Sequence, residues 1–175
     1  LWIVQLKKIA AEWPETGAAA LAAAFELWQW SFTYLSSHKD AESRALFHGK
    51  RQGVTFPLAD SICWLIACYY QLQDLLELKR SGDMNPVVAE NLDNYTGFFA
   101  DLCAVQTARA AGEVGRICSN LVFSYAPDPE AEDLAGFDQL RAIMDRMTAG
   151  AGLAKDRAAN ALTGVMIPET LDYPA

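Results

Sequence analysis

The sequence predicts an all-α protein, an antiparallel helical bundle of four main helices with one or two shorter C-terminal helices. Three observations support this fold class. Apolar residues recur at steps of three and four along successive segments, alternating patterns typical of strands are nearly absent, and Pro or Gly separates the segments. With 52% hydrophobic residues in a chain of 175, one domain can bury a substantial core. We expect a helical domain over residues 1–163 and an extended tail over residues 164–175.

The first two helices are predicted on either side of Pro14. One helical face before this proline is formed by Trp2, Leu6, Ile9 and Trp13. A sequence that starts within such a face resembles a segment of a longer protein. The second helix is expected over residues 15–37, with Thr16 as its N-cap. Its apolar face is formed by Leu21, Phe25, Trp28, Phe32 and Leu35.

A polar connection is predicted between the second and third helices. Residues 38–53 are rich in charged groups, and a helical turn over residues 41–47 fits within them. The third helix is expected to start at the N-cap Thr55, with Pro57 in its first turn, where a missing N–H does no harm. Between residues 62 and 70 apolar side chains surround the helix, which predicts a central position.

A long fourth helical region is predicted over residues 86–125, after Gly82 has ended the third helix. Gly97 is the expected site of a kink. Small residues line one of its faces and would let another helix approach closely: Ala104, Ala108, Ala111, Gly115 and Ser119. One hypothesis is that this small-residue line packs against a second chain in an obligate oligomer.

Prolines and glycines divide the remainder of the chain. Pro127 and Pro129 end the fourth region, and an amphipathic helix is expected over residues 130–148. After a glycine-rich turn, a last short helix is expected over residues 153–162.

Charge and cysteine content restrict the function classes. A net charge of −8 and a pI near 4.7 argue against a nucleic-acid surface or a polybasic membrane surface. No apolar run approaches the roughly 20 residues that span a bilayer. None of the four cysteines forms a C-x-x-C pair, and all lie in apolar stretches: Cys63, Cys68, Cys103 and Cys118. They are expected to be free buried thiols in a reducing cytoplasm, and no metal site is predicted.

The polar residues Arg109, Glu113 and Arg116 form the most distinctive group in the sequence. Their i,i+4 and i,i+3 spacings bring all three charged groups within reach of one another on a helix. They are either an ion network at the surface or at a domain contact, or a clamp for an anion such as a phosphate. Asp60 and Asp101 are further candidate partners.

Two loops carry weaker signals of phosphate binding. The basic cluster HGKR at residues 48–51 could touch a nucleotide or coenzyme, although such clusters are usually solvated. GAGLAK at residues 150–155 lacks both the P-loop spacing and a preceding strand. The absence of Glu-x-x-His pairs argues against a di-iron bundle, and two histidines near one loop make a nucleophilic triad improbable.

Several stretches of the sequence together carry a resemblance to a known family. They read FHGKRQGVTFPLAD at residues 47–60, CWLIA at 63–67, NPVVAE at 85–90, FFADL at 98–102 and ARAAGEVGRI at 108–117. These stretches resemble the C-terminal helical extension of large bacterial acyl-CoA dehydrogenases. The resemblance covers residues 1–126.

The resemblance implies a part played within a larger enzyme. Such enzymes use FAD to remove two hydrogens from an acyl-CoA, with a glutamate base and the flavin in an upstream core. This chain lacks the flavin and catalytic-base motifs, so no catalytic, cofactor-binding or metal residue is assigned to it. The expected function is that of a non-catalytic domain, with FAD bound by the parent oxidoreductase. The domain would pack on the flavoprotein core of the same cytoplasmic polypeptide and stand in for subunit contacts.

The alternative is a stand-alone helical module that binds an anionic ligand. In that case a CoA thioester would bind near Arg109, Glu113 and Arg116.

Overall fold

The helices of this protein follow one another with short connections and no strand between them. The computed structural model describes residues 1–40, 42–82, 85–126, 128 and 130–166, apart from the side chains of residues 165 and 166. Within these ranges the only extended pairing is an isolated bridge between Lys39 and Ala45. The all-α prediction is confirmed. The α-helices are α1 (Trp2–Glu12), α2 (Ala18–Ser37), α3 (Gln52–Ser81), α4 (Pro86–Glu90), α5 (Leu92–Tyr125), α6 (Ala135–Met147) and α7 (Ala151–Met166).

The helix α5 lies at the centre of the packing. The helices α2, α3, α6 and α7 all pack against it, and α1 packs against α2. The core contains fully buried side chains from most of these helices: Leu6, Leu21, Leu27, Leu35, Leu58, Leu65, Leu72, Phe137 and Met144. Each such residue contributes about 1.5–3 kcal/mol relative to exposure in water.

Contacts between side chains fix the direction of each neighbour of α5. The Cys103 thiol lies 3.9 Å from the Gln71 carbonyl, and Arg109 lies over Trp64, so α3 runs opposite to α5. The ring of Phe123 meets that of Phe137 at 5.4 Å. Closer to the N-terminus of α5, Gly115 lies beside Arg141 and Met144, which come later in α6. The helix α6 therefore also runs opposite to α5.

The helix α2 runs in the same direction as α5. Gly17 meets Ala104 at one end, and the Ser31 hydroxyl interacts with the Cys118 thiol farther along. The Trp28 indole, also on α2, donates to the Leu58 carbonyl of α3 at 3.1 Å. These contacts join α2 to α3 and α5 at once.

Gly17 allows the closest approach between the start of α2 and α5. It has φ +76°, and a Cβ built there would lie 2.8 Å from the Ala104 Cα. At the other end of the small-residue line, a Cβ on Gly115 would lie 2.7 Å from Met144 Cε and from Arg141 Cζ. Arg141 also bonds the Ser119 hydroxyl at 3.1 Å. Residues of this chain therefore cover the line at both ends, and it is not free to receive a second chain.

The start of α2 differs from the prediction. A 3-10 helix over Pro14–Thr16 precedes it, and Gly17 occupies the N-cap position. The Thr16 hydroxyl donates to the Trp13 carbonyl at 2.9 Å. Thr16 therefore closes the preceding turn, and its hydroxyl also accepts from the Ala18 N–H at 3.4 Å, but the N-cap position itself belongs to Gly17 and not to Thr16 as expected.

The connection before α3 contains no helical turn among its described residues, and Ala41 lies outside them. The bridge between Lys39 and Ala45 shapes this segment instead, and Leu46 is 2% exposed. The helix α3 begins at Gln52, earlier than expected, so Pro57 lies inside the helix. The Gly53 carbonyl consequently lacks the N–H that residue 57 would otherwise supply.

The helix α3 is not central, contrary to the prediction. One of its faces packs on α2 and α5, while Phe56 and Tyr70 on the opposite face are 59% and 58% exposed. By length and composition α3 could cross a membrane, although 33% of its most apolar window is buried. Core helices of soluble proteins meet the same criterion, so this property does not define a membrane helix.

The later helices also differ from the prediction in their ends. The fourth region is broken at Asn91, between α4 and α5, and α5 is continuous through Gly97. The helix α6 starts at Ala135, after a 3-10 turn over Glu132–Leu134. The helix α7 is longer than expected and includes residues 164–166, which were predicted to be extended. The remainder of the predicted tail, residues 167–175, lies outside the described residues.

We expect Gly17→Ala to lower the free energy of unfolding by at least about 1–3 kcal/mol, because φ is positive there and the added Cβ meets backbone. Gly112→Ala is the matched control. Gly112 lies inside α5 with open space around it, so this change should raise stability by about 0.5–1 kcal/mol. Urea unfolding measures both changes, and equal stability of the two variants would contradict the packing at Gly17.

Candidate functional site

The three residues Arg109, Glu113 and Arg116 all lie on α5, but they do not meet. The Arg116 Nη2 and Nε atoms donate to Glu113 Oε2 at 2.9 and 3.1 Å. These side chains are 61% and 42% exposed, so the pair adds little stability. The guanidinium of Arg109 lies 5.5 Å from the centre of the Trp64 ring and has no carboxylate within 4.0 Å among the described residues. The expected three-residue network is wrong at Arg109, where an aromatic ring replaces the carboxylate.

The carboxylate of Asp101 has a partner that sequence analysis missed. Asp101 is only 8% exposed, and Arg157 of α7 binds both of its oxygens, with one Nε–Oδ2 distance of 3.1 Å. This contact raises the pKa of Arg157. A carboxylate on the buried face of α5 needs a positively charged partner. The position of Asp101 in the sequence could therefore have predicted that an Arg or Lys binds it. The pair fastens α7 to α5, whereas Asp60 is exposed on α3.

The basic cluster at residues 48–51 is partly neutralised inside the chain. Arg51 bonds the Asp40 carboxylate and lies 5.5 Å from the Tyr125 ring centre. Asp40 also accepts from the backbone N–H and Nε of Arg44, at 2.9 and 3.1 Å. These donors hold the pKa of Asp40 well below its usual range. The residues that stay exposed are His48 and Lys50, while Arg51 organises the loop through Asp40.

The glycine-rich turn at residues 150–155 borders a small pocket. The pocket has a volume of about 250 Å³ and lies between this turn, Gly17 and Ala104. Ligand sites usually have volumes of about 300–1,000 Å³. Arg157 also lines the pocket, but its guanidinium already binds Asp101. The pocket therefore offers no free cation at this residue for a phosphate.

A larger apolar cleft opens between α4, α5 and α7. It has a volume of about 610 Å³. Its lining consists of Val87, Asn91, Asn94, Tyr95, Phe98, Ala161 and Leu162. The cleft exposes apolar surface, since Val87 is 59% and Leu162 is 42% exposed. Among the described residues no charged group lines it, so its chemistry suits an apolar partner. Sequence analysis missed the cleft, because its residues come from three separate helices.

A second exposed surface runs along α3. We call it the α3 stripe, and it consists of the exposed residues Gln52, Phe56, Ala59, Cys63, Ala67, Tyr70 and Asp74. Their steps of three and four place them on one helical face. Its apolar centre extends from Phe56 to Tyr70, and polar residues lie at both ends. The prediction of a central helix rested on residues 62–70 being apolar on all sides, and composition shows which residues are apolar but not which of them another helix covers.

The cysteines fall into two environments. Cys63 is exposed on the α3 stripe, so the prediction that all four thiols are buried is wrong at this residue. Burial raises the pKa of the Cys103 thiol to about 12 and that of Cys118 to about 11. These thiols are consequently poor nucleophiles. Among the described residues no group of three His, Cys, Asp or Glu side chains could hold a metal ion.

No protein-family model, no characterised protein and no solved structure matches the chain. The surfaces described above are therefore the basis for inferring what the protein does.

We expect Asp40→Asn to lower the free energy of unfolding at neutral pH. The pKa of Asp40 is lowered in the folded state, so its contribution is full above about pH 4 and declines as pH falls toward its folded pKa. The difference between wild type and variant should accordingly shrink in acid. Urea unfolding between about pH 7 and about pH 3 measures it. Asp156→Asn, at an exposed position without an ion pair among the described residues, is the control. A pH-independent difference would contradict this role of Asp40.

Proposed function

We propose that this chain is the non-catalytic C-terminal helical domain of a large FAD-dependent acyl-CoA dehydrogenase-like enzyme. In this proposal it forms an antiparallel bundle that packs on the upstream flavoprotein core of the same polypeptide and stands in for subunit contacts. The parent enzyme is an oxidoreductase of fatty acid metabolism in the cytoplasm. The core binds FAD and performs the oxidation, and this domain supplies a surface.

The apolar cleft between α4, α5 and α7 is the observation that carries this proposal. Two of the stretches that resemble the family contribute to its lining, with Val87 from residues 85–90 and Phe98 from residues 98–102. Burying exposed apolar surface contributes about 25 cal/mol per Å². The cleft is thus a surface on which a larger protein body would be stabilised by the hydrophobic effect.

The charged residues of the chain support a structural role for it. Asp101 of α5 is bound by Arg157 of α7, and Asp40 is bound by Arg51. A general base needs a carboxylate that is free to take a proton from a substrate. These carboxylates are instead bound by arginines and hold a helix and a loop in position.

We expect Phe98→Asp to weaken binding of the chain to the flavoprotein core encoded upstream of Leu1 at least about tenfold, because a carboxylate in the apolar cleft must be desolvated. The measurement is calorimetric titration of the FAD-loaded core with the chain. Phe99→Asp is the matched control, since Phe99 is 39% exposed and lies outside the cleft.

Two results would contradict the proposed function. One is an upstream coding sequence without a flavoprotein core, and the other is equal weakening by the Phe98 and Phe99 changes. The purified chain alone also tests its non-catalytic role. Bound flavin, detected by its visible absorbance together with acyl-CoA oxidation, would show that this piece is itself the enzyme.

A second function is favoured by the position of Arg109. Its exposed guanidinium lies over Trp64 and has no carboxylate partner among the described residues, so it remains available to an anion. We propose as the alternative that a CoA thioester binds here, with its phosphates near Arg109 and Arg116. Arg116 would then have to be shared between Glu113 and the ligand.

For this second function we expect Arg109→Ala to abolish the thermal shift that a CoA thioester produces, because the free guanidinium is lost. Arg44→Ala is the control, since Arg44 is an exposed arginine elsewhere in the chain. Differential scanning fluorimetry with acetyl-CoA measures the shift. A wild-type protein that shows no shift, or an unchanged shift in the Arg109 variant, would rule this function out.

A further inference from the structure

The α3 stripe has a symmetry that the packing of this chain does not require. Its residues lie at positions 52, 56, 59, 63, 67, 70 and 74, so the steps are four, three, four, four, three and four. This order reads the same from either end, with Cys63 at the middle. The residue sizes are symmetric as well, because Phe56 and Tyr70 are large while Ala59 and Ala67 are small.

Such a pattern is self-complementary in an antiparallel pair. When two copies of α3 cross with a two-fold axis at Cys63, each residue meets the one at the same distance on the other side of the axis. Phe56 then faces the Tyr70 position of the other copy, and Ala59 faces the Ala67 position. The small residues near the axis let the two backbones approach closely, and the aromatic pairs cover the flanks.

The polar ends of the stripe are also complementary in the same register, through a hydrogen bond and a nearby cation. Gln52 faces the Asp74 position of the other copy, where the amide N–H₂ can donate to the carboxylate. Lys50 lies in the turn before α3, close to the same end. Neither Lys50 nor Asp74 has an ion-pair partner within 4.0 Å among the described residues. Both charges are therefore available for pairing between copies.

We propose that two copies of this chain associate through their α3 stripes as an antiparallel, two-fold symmetric dimer with Cys63 at the axis. The stripe extends from Gln52 to Asp74, or roughly 33 Å of helix. Half-buried neighbours of the stripe, Ile62, Trp64 and Ile66, widen the apolar surface on both sides. The interface is isologous, so it closes at two copies.

A second copy accounts for the stripe better than a lipid surface does. Asp74 lies at the end of the α3 stripe, where Gln52 and Lys50 of a second copy can bind it, whereas a carboxylate is unfavourable in an apolar lipid layer. A lipid surface also places no requirement on the order of steps, whereas a two-fold axis requires symmetry about one residue. The dimer does not use the apolar cleft, so it is independent of the first function proposed above, and its edge at Trp64 lies beside Arg109.

The register predicts a rescue by two compensating charges. We expect Phe56→Lys alone and Tyr70→Glu alone each to raise the dimer dissociation constant at least about tenfold. The double variant should dimerise at least about tenfold more tightly than either single variant. In it the introduced lysine of each copy faces the introduced glutamate of the other, so the dimer contains two such pairs. Sedimentation equilibrium of the full chain at several concentrations measures all four constants.

Matched controls distinguish this register from a general effect of surface charge or a loss of folding. Val4→Lys changes an exposed apolar residue of α1, 73% exposed, and should leave the dissociation constant unchanged. Circular dichroism should show that the variants are folded, since Phe56 and Tyr70 are 59% and 58% exposed and outside the core. A wild-type chain that is monomeric at every concentration would overturn the proposal. Failure of the double variant to recover would overturn the antiparallel register.

The axis can be tested separately with a short bismaleimide. Each maleimide adds to one thiol and forms a thioether, so no oxidant is needed, and two Cys63 thiols near the axis should be joined into a covalent dimer. Cys63→Ser should abolish this product, because the other three cysteines are buried. A dimer in sedimentation that gives no Cys63-linked product would place the axis elsewhere and overturn the proposed interface.

Discussion

Close approach of neighbouring helices to α5 is the constraint on which this structure depends. Gly17 brings the start of α2 against the Ala104 backbone, and Gly115 leaves room for the ends of Arg141 and Met144 from α6. Because α2 runs with α5 while α3 and α6 run against it, these contacts also determine which apolar faces meet. A larger side chain at Gly17 would separate α2 from α5 along a line that contains much of the core.

The same arrangement explains why α3 remains half uncovered. The helix α3 packs on α5 and α2 through one face only, and the neighbours of α5 all lie on that side of α3. Its apolar residues on the other face have no helix left to cover them within the described part of the chain. The cleft beside α4 arises in a similar way, since α4 is too short to cover Tyr95 and Phe98. Exposed apolar surface on a domain with its own core is typical of a protein that binds other proteins.

Sequence analysis predicted the helical class and the approximate position of each long helix, because spacing of apolar residues reports directly on helical faces. It could not predict which helix is central. Residues 62–70 are apolar all round, yet the small residues of α5 matter more, because they decide how closely other helices approach. The candidate site was predicted only in part. Local spacing paired Glu113 with Arg116, but Arg157 and Asp101 are 56 positions apart, and Trp64 reaches Arg109 only through the packing of α3 on α5.

The palindromic order of the α3 stripe has an evolutionary consequence. On a two-fold interface every inherited substitution appears twice, so one codon change at Phe56 alters two contacts, and its effect on association is doubled. Cys63 lies at the axis, where it contacts the same residue of the other copy. A substitution there must therefore give a side chain that can pack against an identical one without steric or charge repulsion. Lineages could therefore gain or lose association through very few genetic steps, while the buried residues that maintain the fold stay the same.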